Sequence, residues 1–157
     1  MLKGMRTSAL VAVGLLAGVA FAGSAFAGEC PAGKMMANAR EPVTKEALGV
    51  TDNVLAAPAL AEEGPMLPDR QMRVRKLTIE SGGVVPWHSH ADRPALIYIV
   101  EGEILEYASN CAAPILHKAG EVSVESHAVS HWWKNLSNGT VTLLSFDILH
   151  DASDKAM

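Results

Sequence analysis

Cysteine is scarce: Cys30 and Cys111 are the only two in 157 residues. No more than one internal disulfide can form, so a disulfide-dense scaffold is excluded. Basic charge is also low, with 13 Lys and Arg against 17 Asp and Glu, a net charge of −4. That balance argues against nucleic acid and against anionic membrane surfaces, which both select a basic patch. The acidic groups are spread along the chain, as expected of a solvated surface. No solenoid-type repeat, coiled-coil heptad or low-complexity tract is present, and beyond residue 70 there is no convincing helix.

What the chain does have begins with an amino-terminal leader. Lys3 and Arg6 precede an apolar stretch from Ala9 to Ala22, followed by the small-x-small sequence Ala25-Phe26-Ala27. This is the layout of a secretory signal peptide. The apolar run falls short of the about 20 residues of a comfortable membrane span, although a retained anchor keeps the same layout. The expectation is cleavage after Ala27, a periplasmic or secreted mature chain starting at Gly28, and no membrane contact afterwards. Without Lys3 and Arg6 the mature chain carries 11 basic and 17 acidic residues, a charge of −6. Its length is that of one domain able to bury a real core.

In an oxidising compartment two thiols commonly pair. A Cys30–Cys111 bridge would tie the mature amino terminus to a hairpin loop and contribute up to about 4 kcal/mol if unstrained. Two free buried thiols, or two thiolate ligands, are the alternatives.

Residues 28–70 are punctuated by Pro31, Pro42, Pro58, Pro65 and Pro68 and show little strand alternation. They read as an arm packed outside the domain, with a disordered tail as the competing view for 28–40. Thr44 to Gly49 suggests one capped helical turn ending at glycine, and Asn53 to Leu60 a short edge segment. Residues 71–150 read as about eight short strands. Arg73–Ile79 alternates; Ser81-Gly82-Gly83 looks like a turn; Pro86–His90, Ala95–Val100, Glu103–Tyr107, Ile115–Lys118, Glu121–Glu125, His131–Lys134 and Thr140–Phe146 follow. Asn138-Gly139 is a hairpin turn signal. Regular short strands with turn signals specify a sandwich or barrel. Residues 151–157 are a tail.

The chemistry gathers at histidines. His88 and His90 are two residues apart, and residues i and i+2 of a strand project from one face. Two imidazoles so placed can bind one divalent ion, and His131, on a later strand, can complete a trio. Neutral imidazole suits Fe, Zn, Mn, Ni or Cu, and three nitrogens leave coordination positions open for exchange or reaction. Outside such a centre no confident nucleophile or general base stands out.

Gly82, five residues, His88-Ser89-His90 and then Gly102 fall at the positions of the first cupin motif, and Gly120, His131 and Asn135 at positions of the second. Over about residues 72–148 the chain therefore resembles the cupins. The resemblance implies an all-β double-stranded β-helix, or jelly-roll barrel, with a metal near its middle. Two departures stand out. Ala95 occupies the position of the usual glutamate ligand, seven residues before Gly102, and Ser126-His127-Ala128 replaces the Pro-x-Gly turn. Three-histidine iron sites occur in several thiol, diketone and aromatic-ring dioxygenases of the superfamily, so the resemblance permits that chemistry without specifying it.

His127, four residues before His131, is a candidate fourth ligand or a neighbouring acid/base; His117 and His150 read as surface or packing residues. Ala95 and Ile97 should share an inward, apolar face, with Trp133 pointing in beside His131 to wall a substrate pocket. Lacking a carboxylate ligand, the centre is one negative charge short, which an anionic substrate would supply. Arg73 and Arg75 alternate with Leu77 and Ile79. If that face is inward, one of them can hold a carboxylate; at a barrel mouth or surface they would not.

Two functions follow. One is an enzyme, either a small-molecule dioxygenase using Fe(II) or a metal-assisted isomerase or lyase. The other is a non-catalytic barrel that holds a small ligand or the metal itself. A homodimer is a further option, because an exposed edge strand is commonly paired or covered.

Overall fold

A computed structural model describes residues 29–43, 46–64 and 66–150. The signal peptide and the carboxy-terminal tail expected from the sequence lie outside the described residues, as do Thr44 and Lys45 of the expected helical turn. Among the described residues there is no helix long and apolar enough to cross a membrane.

Eight strands form in chain order: β1 (Leu48–Ala56), β2 (Gln71–Ser89), β3 (Ala95–Glu101), β4 (Glu103–Ala108), β5 (Ile115–Lys118), β6 (Val122–Glu125), β7 (Ser130–Lys134) and β8 (Val141–Leu149). All pairings are antiparallel, in the order β5-β4-β7-β2-β8-β3-β6, with β1 added along β2. The sheet curls into a nearly closed jelly-roll barrel whose seam lies between β5 and β6. Alternate residues on each strand face inward, as the period of two requires. Leu77, Ile79, Val85, Ile97, Ile99, Ile104, Trp133, Val141 and Leu143 fill one end of the interior as a single apolar cluster.

The Gly82-Gly83 pair is not a turn between two strands. It bends one continuous 19-residue strand, which pairs with β8 through Ile79 and with β7 from Val84 onward. The geometry needs glycine: Gly82 has φ +78°, and a Cβ on Gly83 would lie 2.7 Å from the Ile79 side chain and 2.8 Å from the Glu80 carbonyl oxygen. Asn135 clamps the bend. Its buried amide donates to the carbonyls of Ile79, Glu80 and Gly139 at 2.8–3.0 Å, and its backbone N–H donates to Gly83 O at 3.0 Å. The bend lets the far half of β2 cross to β7 and carries His88 directly opposite His131.

Two expectations for the arm change. Gly49 belongs to β1 (φ +58°) instead of ending a helical turn, and the extended segment begins at Leu48 instead of Asn53. Upstream, the arm is tied to the β4–β5 turn by a Cys30–Cys111 disulfide with Cα atoms 5.8 Å apart. Backbone bonds from Met36 to Asn110 O, Ala39 to Ser109 O and Ala112 to Lys34 O add to it. The Arg40 guanidinium lies over the Tyr107 ring, which stacks on Trp132.

Candidate metal centre

His88 and His131 face each other across β2 and β7, and His90 follows at the end of β2 on the same face. Their Nε2 atoms converge: His131 lies 3.1 Å from His88 and 3.0 Å from His90. On His88 and His90 the other ring nitrogen has a partner that only accepts. His88 Nδ1 donates to Pro86 O at 2.8 Å and His90 Nδ1 to Arg93 O at 2.7 Å. A carbonyl cannot donate, so in the neutral rings the proton sits on Nδ1 and the Nε2 lone pair points at its neighbours. Two lone pairs aimed at a third nitrogen at 3.0–3.1 Å repel unless that nitrogen carries a proton or a metal ion takes the proton's place among them. Nitrogens about 2.0–2.1 Å from one ion would stand roughly 2.9–3.4 Å apart for right-angle to tetrahedral coordination. The three residues fit a transition-metal ion.

Buried carboxylates set the third ring. Glu106 Oε1 accepts from His131 Nδ1 at 2.7 Å and its Oε2 accepts from His117 Nε2 at 2.8 Å. Glu125 Oε2 lies 3.2 Å from the same Nδ1, and its Oε1 accepts from Ser123 Oγ at 2.6 Å. A ligand histidine whose outer N–H meets a carboxylate has a fixed orientation and a more basic inner nitrogen.

Burial dominates the protonation of the trio. It lowers His88 to about 2 and His90 to about 4, with the His131 charge acting in the same direction. His131 is pulled down by burial but raised more strongly by Glu125 and Glu106. Burial raises Glu125 to about 7, whereas hydrogen bonds from His117 and His131 overcome the same penalty at Glu106 and hold it at about 2. One acid keeps its proton near neutrality and the other does not.

A cavity of about 30 Å³ adjoins the trio, bordered by Arg75, Leu77, Val85, Ile97, Trp133, Leu143 and Ser145. That is room for about one water. Arg75 is therefore inward and buried, not at a surface. It pairs with Asp52 at 2.6 Å and Asp147 at 3.4 Å and donates to Ser145 Oγ at 3.2 Å, while its buried Nε has no hydrogen-bond partner. Arg73 closes the same cluster bidentately on Asp147.

The expected pocket residues divide. Ile97 and Trp133 line the cavity. Ala95 faces inward in the apolar core but does not border it; it sits between Glu125 on β6 and Asp147 on β8. His127 is exposed on the turn before β7 with φ 56°, and the structure does not bring it to the trio. His150 is on the surface against Asp92. His117 does pack, stacked on Trp133 at 4.5 Å, but it also holds Glu106. Sequence reasoning missed Glu106 and Glu125. Their inward alternation on β4 and β6 was visible, but their meeting at His131 depends on register.

The cupin domain family matches residues 75–147. The barrel is a cupin domain. Among solved structures, one similar in fold is described as a predicted oxalate decarboxylase from Thermotoga maritima, with TM-score 0.52, 20% identity, and coverage of 68% of this chain and 93% of that one. The Schizosaccharomyces pombe Cnp3 cupin domain follows at TM-score 0.51 and 14% identity, covering 70% and 72%. A cupin domain from Bordetella pertussis has TM-score 0.50 and 15% identity, covering 66% and 97%. At these identities the likeness is one of fold. No curated protein matches the chain. In this cupin, His88, His90 and His131 could hold a metal ion.

Proposed function

We propose that this cupin is an exported metalloprotein whose three-histidine centre binds a divalent transition metal and acts on a small anionic molecule, as a dioxygenase or a metal-assisted isomerase or lyase. The carrying observation is the convergence of the three Nε2 atoms while the opposite nitrogens are tied to acceptors.

A metal so held supplies Lewis acidity or, as iron, redox chemistry. The chain's own residues do the rest. His88, His90 and His131 offer three neutral nitrogens and leave the metal's charge uncompensated, which favours an anionic ligand. Arg75 adds a buried guanidinium in the cavity wall. Leu77, Val85, Ile97, Trp133 and Leu143 keep bulk water away and strengthen those electrostatics. Glu106 fixes the His131 ring, and Glu125 holds a proton beside it. The leader and the Cys30–Cys111 pairing support export, since such pairs persist in oxidising compartments.

The small cavity, without a free general base on its wall, favours a second reading as a non-catalytic metal or small-ligand binder. Elemental analysis of protein from its native compartment, beside a His88→Ala/His90→Ala control, tests the centre. Near-stoichiometric iron lost in the control favours the oxygenase and directs an oxygen-consumption screen. Zinc, nickel or copper leaves the isomerase, lyase and binding readings, and absence of metal from both samples refutes the proposal. Amino-terminal sequencing should begin at Gly28.

A further inference from the structure

Half of the barrel wall is apolar on both faces. An antiparallel sheet with one face on the core ordinarily shows water a polar one, and the outward positions of β4 and β7 include Glu103, Ser130 and Lys134. Along β2, β8, β3 and β6 the outward positions are different. Register sets Val74, Phe146, Leu96 and Val124 in one row across the four strands. Lys76, Leu144, Tyr98 and Val122 form the next row, and Met72 pairs with Ile148 on the other side. Only Lys76 among them is charged. Ala95 to Val100 is apolar at every position, the pattern of a strand covered on both faces.

Among the described residues this face lies open. Val124 is 67% exposed, Met72 53%, Leu96 48% and Phe146 43%. A groove of about 310 Å³ runs through it, lined by Met72, Pro94, Leu96, Val124, Phe146 and Ile148. The nine apolar side chains of these rows expose roughly 600 Å², the upper end of the largest patch on a monomer and close to the about 800 Å² per partner of a standard interface. The chain's own remaining sequence is a poor cover. Asp151 to Met157 offers one large apolar side chain, and under the export reading the apolar leader is removed. A lipid surface would call for basic residues around the patch, and these rows hold one lysine in an acidic chain. A second copy suits both shape and charge. Two aligned sheets pack about 10 Å apart with interdigitating side chains, and no carboxylate in these rows would meet its own kind.

We propose that this face joins two copies of the chain in a homodimer, with the β2-β8-β3-β6 walls stacked face to face and Phe146 and Leu96 at the centre of the contact. The sheet face, not an edge strand, makes the interface. A two-fold contact uses the same patch on both copies, so one substitution strikes it twice.

Analytical ultracentrifugation of the disulfide-intact protein from its native compartment tests this, with hydroxyl-radical footprinting to locate the contact. The protein should sediment at twice the chain mass and dissociate on dilution, and Met72, Tyr98 and Phe146 should be protected in the dimer and reactive in the monomer. Phe146→Glu should weaken the dimer about thirtyfold or more, the cost of losing a central hot-spot residue. Val124→Glu, on a more exposed side chain, repeats the test should the first variant fold poorly, and native melting confirms each fold. Leu116→Glu, exposed on β5 outside this face, should leave the dimer intact. A monomer at all concentrations would overturn the proposal. A dimer that survives Phe146→Glu and Val124→Glu, or is lost equally in Leu116→Glu, would do the same. So would a monomer with Met72 and Phe146 protected, which would make the cover a segment of the chain itself, or a monomer that binds vesicles of phosphatidylcholine and phosphatidylglycerol through this face.

Discussion

His131 is the residue where the two halves of the chemistry meet, because its Nε2 faces the trio and its Nδ1 faces two carboxylates. Removing a ligand and removing its support should therefore differ. His131→Ala or His88→Ala should abolish nearly all metal content, whereas Glu106→Gln should keep the site and weaken metal affinity by about 10–100-fold, the usual cost of losing such a partner. Cys111→Ser, remote from the ring nitrogens, should retain the metal. Elemental analysis and a chelator competition read all four variants, and equal metal content throughout would sink the assignment. The pH dependence follows from the same rings. His88 and His90 do not compete through protonation until about pH 2 and 4, while His131 is raised and must release its proton to a metal. Between pH 4.5 and 6.5, affinity should fall about tenfold per unit of acidification, the signature of one proton, instead of the thousandfold of three ordinary histidines.

At the scale of the element, the long bent strand β2 positions the site and Asn135 holds the bend. Asn135→Ala would strand the buried carbonyls of Ile79 and Glu80 and should cost about 1–3 kcal/mol, read as a lower urea midpoint at an unchanged slope. Because the bend sets His88 against His131, metal affinity should fall with it; a variant that loses neither would show that the clamp is idle. Much of this was legible beforehand. The His88/His90 spacing, the inward Trp133 and the strand series follow from a period of two. Asn138-Gly139 leading into β8 follows from turn chemistry. What escaped was register. Gly-Gly reads locally as a turn, and only the hand-over from β8 to β7 shows it to be a bend. Ala95 reads as a missing carboxylate, yet the neighbouring strands set Glu125 and Asp147 on either side of it. Arg75 looked equally suited to a surface, because its partners, half-buried Asp52 and buried Asp147, lie 23 and 72 residues away.

For the whole molecule, the disulfide and the buried titrating groups govern stability. The Cys30–Cys111 bridge closes a separation of 81 residues, and its loss should cost about 2–4 kcal/mol, seen as a reduced midpoint under a non-denaturing reductant. The metal-free protein should also show a peak of stability near pH 6.5. From about pH 4.5 to 6.5 the unfolded chain holds protons on His88 and His90 that the native state, with values of about 2 and 4, refuses. Glu125, raised to about 7, works the other way, since the native state keeps a proton the unfolded chain has lost. The unfolded state thus binds a net one proton more, so stability rises with pH by about 1.4 kcal/mol per unit across that window. Above pH 6.5 the sign reverses: native Glu125 and His131 still hold protons that the unfolded chain releases, and stability falls as they titrate. Below pH 4.5 Glu106 adds to the loss, because its stabilisation is present above its unfolded value and disappears towards about pH 2. Chemical denaturation of the chelated protein from pH 4 to 9 checks the curve. A profile that falls with pH between pH 4.5 and 6.5 would mean that His88 and His90 are charged in the native barrel, and two lone pairs facing His131 would no longer describe the centre.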